Sequence, residues 1–372
     1  MDILPPEIIR TLLEYLSNIQ KRSISRVCKL WAYLVKTFKI HSIKFGKNVP
    51  EFEIYDMNLP IPSHVLITNE TSLKRYDTIQ NKNSLLIIHT TIGNKNSFIV
   101  THNPISLVVN RVTTQNSLQC ILENSNVTHA KIYNNYQLEQ LRSSTLSPNL
   151  QYLKLDRYIL DSLPSNLISL NISRCMGTSR YSSCSFISLP SILMHNSMLL
   201  RLNISYNNLS KEQVKSFINA LKVNTTLTHI NLSGNKIFNK EAFQISSMLK
   251  INKTIRFLKL NDTFIHRLGS KALAKIISYH PTLMGLSMNN TYIKNGGVID
   301  LAKMLMTNTT LTYLDISLCK KVFYSAGCLI ADSIIANTTL RTLKFNTDYI
   351  GWIARARIRQ ALIHNTLISF NE

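Results

Sequence analysis

The sequence lacks the short motifs that mark common enzyme chemistry. There is no G-x-x-x-x-G-K-[ST], no G-x-G-x-x-G, no H-E-x-x-H and no G-x-S-x-G, so phosphate-cradling loops, zinc-protease helices and nucleophile elbows are absent and no enzyme is expected. No run of the roughly 18 to 20 apolar residues needed for a membrane helix occurs. The six cysteines (Cys28, Cys120, Cys175, Cys184, Cys319, Cys328) form no C-x-x-C pair. Zinc sites bring ligands in such close pairs and secreted disulfide frameworks are denser, so reduced, mostly buried thiols are expected, with no metal and no cofactor. The start, Met1-Asp2-Ile3-Leu4-Pro5-Pro6-Glu7, lacks the basic residues and apolar run of a signal peptide. An intracellular protein is expected, cytoplasmic or nuclear, in the encoding cell or in a host.

Acidic residues are also few: Asp+Glu number 20 against 42 Lys+Arg, a formal charge of +22 over 372 residues. A balance of this kind suggests nucleic acid or an acidic partner. The basic residues are spread along the chain without a dense block, however, which is the pattern of a solvated basic surface. Glycine is scarce at 10 residues while Asn fills about a tenth of the chain, and enrichment in Lys, Asn and Ile is also what codon bias produces. The apolar fraction of 45% suffices for one large domain or two modest ones.

What is present is a repeat. From Leu199 the pattern L-x-x-L-x-L-x-x-N-x-L restarts at Leu227, Ile255, Leu283, Leu311 and Leu340, at offsets of 28, 28, 28, 28 and 29. The first unit reads Leu199, Leu202, Ile204, Asn207, Leu209, and the second Leu227, Ile230, Leu232, Asn235, Ile237. The Asn position is then taken by Thr263, Thr291, Cys319 and Asp348. Leu367-x-x-Phe370 is a partial seventh unit. Ten residues before each restart stand Phe217, Ile245, Leu273, Leu301 and Ile330; six before stand Leu221, Leu249, Ile277, Leu305 and Ile334. Positions four apart share a helical face, so each unit carries an amphipathic helix, and Ala274, Ala302 and Ala331 allow it to approach its strand. The added residue of the longer unit falls between Cys319 and the helix.

This pattern resembles leucine-rich repeats of the ribonuclease-inhibitor type. The resemblance implies an α/β solenoid, a horseshoe in which one strand and one helix per unit are stable only when stacked on neighbours. Inward side chains at the Asn position satisfy backbone groups where each strand turns away; Thr, Cys or Asp do so less fully. Upstream, Leu167-x-x-Leu170-x-Ile172 and Leu150-x-x-Leu153-x-Leu155 are only 17 residues apart, which leaves room for a short extended segment and no full helix. Val127-x-x-Ala130-x-Ile132 is a weaker unit. Between residues 46 and 126 the runs Leu85–Ile88, Phe98–Val100 and Leu107–Val109 read as short strands, either of degenerate repeats or of a separate small β domain. The expected organisation is a helical module at 1–45, irregular strand-rich units at 46–148 and repeats at 149–372.

Residues 1–45 follow another rule. Pro5, Pro6 and Glu7 open a helix, and Ile8, Leu12, Leu13 and Leu16 recur at helical spacing, followed by Ile24, Val27, Cys28, Trp31 and Leu34. About forty residues bury too little apolar surface to be stable alone. The stretch Leu4-Pro5-x-Glu7-Ile8 … Leu12 … Leu16 … Ile24 … Val27-Cys28-Lys29-x-Trp31 … Leu34 resembles an F-box, with Lys21 and Arg22 where that family commonly has apolar residues. The resemblance implies docking to a Skp1-like adaptor, and through it a cullin, by Leu4, Pro5, Ile8, Leu12, Leu16, Ile24, Val27 and Trp31. It implies a non-catalytic substrate-recognition subunit of an SCF-type ubiquitin ligase. The alternative is a repeat scaffold or inhibitor that binds one protein on its concave face, with the first helices as a cap. Ile40-x-x-Ile43-x-Phe45 reads as the first strand.

Strand residues alternating with the core point to the concave face. They include Arg201, His229, Phe257, Lys259, Tyr313, Asp315 and Lys344, among Asn203, Asn231, Gly285, Ser287, Thr342 and others. By count this face is polar and nearly neutral, with no basic ladder for tracking phosphates, so a protein substrate is expected rather than nucleic acid. Phe257 and Tyr313 are the candidate anchors. With repeats running to Glu372, no separate catalytic domain is expected.

Overall fold

The computed structural model describes residues 42–45, 64–67, 85–88, 91–92, 106–109, 111–112, 128–133, 139–141, 149–156, 158–160, 164, 166–174 and 185–371. The helices expected before residue 42 and the strand expected at 98–100 lie outside them. Contacts divide the chain into two units, residues 1–135 with 145–150, and 136–144 with 151–372.

In the first unit, β1 (Ser42–Phe45), β2 (His64–Ile67) and β3 (Leu85–Ile88) form a parallel sheet in chain order. There follow β4 (Thr91–Ile92), β5 (Ser106–Val109), β6 (Arg111–Val112) and β7 (His129–Tyr133); β4 pairs with β6 and β5 with β7, again parallel. Parallel neighbours need a crossover between them, unlike hairpins. The apolar runs at Leu85 and Leu107 thus supply strands of parallel pairs.

The second unit begins with β8 (Glu139–Leu141), β9 (Tyr152–Asp156), β10 (Tyr158–Leu160), β11 (Ser169–Asn171) and helix α1 (Ser185–His195). Among the described residues, the short β10, paired with β8, is the one element between β9 and β11. Strand and helix then alternate: β12 (Arg201–Asn203), α2 (Lys211–Val223), β13 (His229–Asn231), α3 (Asn239–Ile251), β14 (Phe257–Lys259) and α4 (Arg267–Ile277). The series continues through β15 (Gly285–Ser287), α5 (Lys294–Leu305), β16 (Tyr313–Asp315), α6 (Tyr324–Ala336), β17 (Thr342–Lys344), α7 (Trp352–His364) and β18 (Ser369–Asn371). Neighbouring strands from β9 through β11 to β18 pair in parallel without a slip, aligning Leu153, Leu170, Leu202, Ile230, Leu258, Leu286, Leu314, Leu343 and Phe370.

One core runs along this ladder. Leu202, Ile230, Leu258, Leu286 and Leu314 from the strands are buried, as are Phe217, Ile245, Leu273, Leu301 and Ile330 and the five residues four further on in the helices. Truncating any of these large side chains to Ala would cost about 2–5 kcal/mol, transfer and cavity terms together. Cys319 and Cys328 are free, buried thiols, and burial raises the Cys319 pKa.

Each strand from β11 to β16 leaves the sheet through a residue in the left-handed region: Arg174 (φ 60), Tyr206 (φ 56), Gly234 (φ 66), Asp262 (φ 53), Asn290 (φ 52) and Leu318 (φ 56). That conformation costs roughly 1–2 kcal/mol for a residue with a Cβ. It persists because the ladder continues through it: Tyr206 N–H donates to Ser233 O (2.8 Å), Gly234 N–H to Asn261 O (2.8 Å) and Asp262 N–H to Asn289 O (2.9 Å). The left-handed residue turns the next side chain inward. Asn235 Nδ2 then donates to Ile204 O (3.0 Å) and Leu232 O (2.9 Å), and its Oδ1 accepts from Asn207 N (3.2 Å) and Leu209 N (3.2 Å). Thr263 and Thr291 each donate to a carbonyl three residues back, at 2.7 and 2.8 Å, a thinner set of bonds.

The sixth unit departs from the expectation. Asp348 is exposed and Thr347 is buried in its place. Thr347 occupies the position that is left-handed in the preceding units, but a β-branched residue resists that region, and it does not adopt positive φ. The inward position therefore moves back by one. In the fifth unit the added residue lies between Cys319 and helix α6, as expected, where Lys321 takes a second left-handed turn (φ 59).

Candidate functional site

The strand face away from the helices carries the expected binding residues in two groups. Arg201, His229, Phe257 and Lys259 lie on β12 to β14. Arg201 and Lys259 are exposed, while the His229 and Phe257 rings stack at 4.6 Å and 15° and are half-buried. Burial lowers the His229 pKa, helped by the positive charges of Arg201, Arg256 and Lys259. Phe257 owes its position to a glycine. A Cβ on Gly285 would lie 2.3 Å from Phe257 Cδ1, so the ring covers backbone that only glycine leaves free.

The second group is Tyr313, Asp315 and Lys344 on β16 and β17. The Lys344 ammonium sits 6.0 Å from the Tyr313 ring centroid, and Tyr313 Oη donates to Asp315 Oδ2 (3.3 Å). Burial and the Asp315 carboxylate raise the Tyr313 pKa. Asp315 itself is only 7% exposed; its Oδ1 accepts from Ser317 N (3.1 Å) and Ser317 Oγ (2.6 Å). Between the groups, Gly285 and Ser287 are buried, and Ser287 Oγ donates to Asn261 Oδ1 (2.7 Å). The face is thus two projecting clusters separated by a low step. Its one acid among the seven candidates is sunk and hydrogen-bonded, so the charges it presents are positive, although a count of residues reads near neutral.

A second surface escapes sequence reasoning. At the edge where strands turn into helices, Phe238, Phe264 and Tyr292 are 37%, 40% and 51% exposed. Phe238 stacks on Phe264 (5.0 Å, 16°), Phe264 on Tyr292 (6.0 Å, 7°), and His266 on the Tyr292 ring (5.4 Å, 21°). Lys211 Nζ lies 5.6 Å from the Phe238 centroid. Phe238, His266 and Phe323 occupy the N-cap positions of α3, α4 and α6 and make no side-chain cap bond, where Ser, Thr, Asp or Asn is worth about 1 kcal/mol. Helix α2 keeps the usual device: Ser210 and Gln213 form a capping box. The neighbouring repeat compensates in part. Asn239 Oδ1 accepts from His266 N and Gly269 N (3.0 Å each), and Asn295 Oδ1 from Phe323 N (2.9 Å). A cap lent from the previous unit thus serves at His266 and Phe323, whereas at α3 Glu241 Oε2 accepts from Phe238 N (2.9 Å). The available signal was an aromatic where a cap belongs; it was obscured because Phe238 and Phe264 come from different positions of the unit.

Among the described residues, no three His, Cys, Asp or Glu side chains gather as metal ligands, and no helix is long and apolar enough to cross a membrane. The expected docking residues Leu4, Pro5, Ile8, Leu12, Leu16, Ile24, Val27 and Trp31 lie outside the described residues.

Stacked strand-and-helix units with a leucine ladder make this an α/β repeat protein, a solenoid like those of leucine-rich-repeat proteins. Residues 1–43 match the F-box domain. No curated protein matches the sequence. Solved structures similar to this one include the tropomodulin C-terminal domain of Caenorhabditis elegans, at 17% identity over 49% of this chain and 93% of that chain with a TM-score of 0.35. The leiomodin-1 actin-binding site 2 is similar at 22% identity, covering 49% and 87%, with a TM-score of 0.30. An internalin from Listeria monocytogenes is similar at 15% identity, covering 78% and 81%, with a TM-score of 0.41.

Proposed function

We propose that this chain is a non-catalytic substrate-recognition subunit of an SCF-type ubiquitin ligase. The observation that carries the reading is the F-box match at residues 1–43 in the same chain as a repeat array. F-boxes serve as adaptor-binding modules, and a parallel repeat array offers a wide, rigid strand face for a protein. In this reading residues 1–45 dock a Skp1-like adaptor, and through it a cullin, by Leu4, Pro5, Ile8, Leu12, Leu16, Ile24, Val27 and Trp31. Residues 46–148 are degenerate or irregular strand-rich repeats, and residues 149–372 are leucine-rich repeats, regular from Leu199. The array curves as a ribonuclease-inhibitor-type horseshoe, and the protein substrate meets its concave face through Arg201, His229, Phe257, Lys259, Tyr313, Asp315 and Lys344. Half-buried rings flanked by cations suit an acidic partner with apolar anchors. The chain works inside a cell, cytoplasmic or nuclear, and needs no cofactor, because it brings two proteins together and reacts with neither.

The test is co-purification of the full chain with Skp1. Changing Leu4, Pro5 and Ile8 together to Ala is expected to weaken capture more than tenfold while leaving the unfolding midpoint of the array unchanged. Failure of the unaltered chain to hold Skp1 would remove the reading. Loss of the folded array in the triple variant would mark residues 1–45 as a cap instead.

A further inference from the structure

The aromatic edge formed by Phe238, Phe264, Tyr292 and His266 is separate from the strand face, and the reading above does not use it. Exposed rings on a rigid frame are unusual for a surface with no partner. These rings are also ordered by one another, so little side-chain freedom remains to be lost on binding.

The way the rings face decides what they can bind. They lie nearly parallel, 16° and 7° apart. Both faces of Phe264 are covered, by Phe238 on one side and Tyr292 on the other. His266 also stacks on Tyr292, and Lys211 stands over Phe238. The rim of the stack is open along its length. An aromatic rim carries the positive part of the ring quadrupole, so it attracts carboxylate and carbonyl oxygens and repels cations. The turns bearing the rings add exposed cations of the same preference: Lys211, Lys236, Lys240 and Lys294. Single-stranded nucleic acid would need free ring faces on which bases could stack, and both faces of the central ring, Phe264, are already occupied. The geometry points to this edge as a docking site for an extended acidic polypeptide segment, its carboxylates over the ring rims and lysines and its apolar side chains along the exposed ring edges.

The experiment uses the full chain and three fluorescein-labelled probes: a twelve-residue peptide alternating Glu with Leu, its counterpart with Lys for Glu, and a twelve-nucleotide oligouridylate. The Glu peptide is expected to bind at least tenfold more tightly than the Lys peptide. The variant F264A/Y292A is expected to weaken that binding about tenfold or more, while the array still unfolds cooperatively at a modestly lowered midpoint, because both rings lie outside the ladder core. K211E/K240E should weaken it while leaving the ring stack in place. A Glu peptide that fails to bind, or binds equally to F264A/Y292A, would overturn the proposal. So would oligouridylate binding more tightly than the Glu peptide and losing its affinity in the ring variant.

Discussion

The second and sixth repeats, starting at Leu227 and Leu340, place the same apolar ladder in the sheet and then part ways. In the second, Gly234 takes the left-handed turn and Asn235 points inward. In the sixth, Thr347 does not take that turn, so Thr347 itself is buried and Asp348 faces solvent. Arg355 then reaches back, its Nε donating to Thr347 O (3.0 Å) and its Nη2 to Asp348 O (2.8 Å), so a long side chain from α7 satisfies carbonyls of this turn. The lesson is that the residue before the inward position, more than the inward residue itself, sets where a repeat turns.

The sharpest way to break this comparison is to truncate the same repeat position in both units. Asn235→Ala would leave the backbone carbonyls of Ile204 and Leu232 and the amides of Asn207 and Leu209 without their side-chain partner in a dry core. Unsatisfied buried groups cost about 1–3 kcal/mol each, so a loss of about 3–5 kcal/mol is expected after relaxation. Asp348→Ala changes an exposed side chain and is expected to stay within about 0.5 kcal/mol. Urea unfolding of the two variants measures both, and equal losses would show that Asp348 does serve as the inward residue.

A smaller effect isolates the turn itself. Gly234→Ala puts a Cβ in the left-handed region and 2.2 Å from Tyr206 Cδ1, with an expected cost of about 2–3 kcal/mol. Tyr206 is held by its hydroxyl, which donates to Asp262, and by Arg174, 5.1 Å from its ring centroid, so the ring does not move aside freely. Adding Tyr206→Ala should recover the steric part of the loss and leave the backbone part. If the double variant unfolds where Gly234→Ala does, the clash contributes nothing.

Most of the solenoid was legible because its determinants are periodic. Apolar residues repeating at fixed offsets had to be strand and helix faces, and the ladder residues of the six units from Leu199 are buried. At the end of the array the expected Leu367 is exposed and its neighbour Ile368 is buried instead. The turns were less legible. Their left-handed position is filled by Arg, Tyr, Gly, Asp, Asn and Leu, a set with no shared side-chain chemistry, since cross-repeat hydrogen bonds hold that conformation. The strand face was legible as a set of residues but not as a relief. Asp315 is drawn under by Ser317 and Tyr313, and the step at Gly285 appears only when Phe257 lies across it. The aromatic edge was hidden in part because two of its stacks, Phe238 on Phe264 and His266 on Tyr292, join rings from different positions of successive units. Phe264 and Tyr292 do share a position, but in only two units.

The slot before each strand offers the subtlest test, because one repeat solves it differently. Asn252 Nδ2 donates to Leu221 O (2.7 Å) and Asn224 O (2.9 Å), and its Oδ1 accepts from Thr254 N (2.9 Å) and Ile255 N (3.1 Å). Asn337 repeats the pattern. Ahead of the fourth unit His280 stands there, 1% exposed. Its Nδ1 accepts from Leu283 N (3.1 Å), which fixes the proton on Nε2, and Nε2 donates to Asn252 O (3.0 Å). A neutral imidazole thus reproduces the donor and acceptor of an Asn amide. Protonation would put a second N–H against the Leu283 amide. Burial lowers the His280 pKa, with the Lys253 charge acting the same way and the bond to Asn252 O opposing. The unfolded chain takes its proton near the ordinary 6.5, so this contribution to stability is complete above that pH and is lost as pH falls below it. His280→Asn is expected to change stability by less than about 1 kcal/mol at pH 7.5, and to shrink the drop in urea midpoint between pH 7.5 and pH 5.5. His229, whose pKa is lowered by burial on the strand face, supplies the control: His229→Asn removes its own share and leaves that of His280. An unchanged drop in the His280 variant would mean that the acid sensitivity of the array does not originate in this slot.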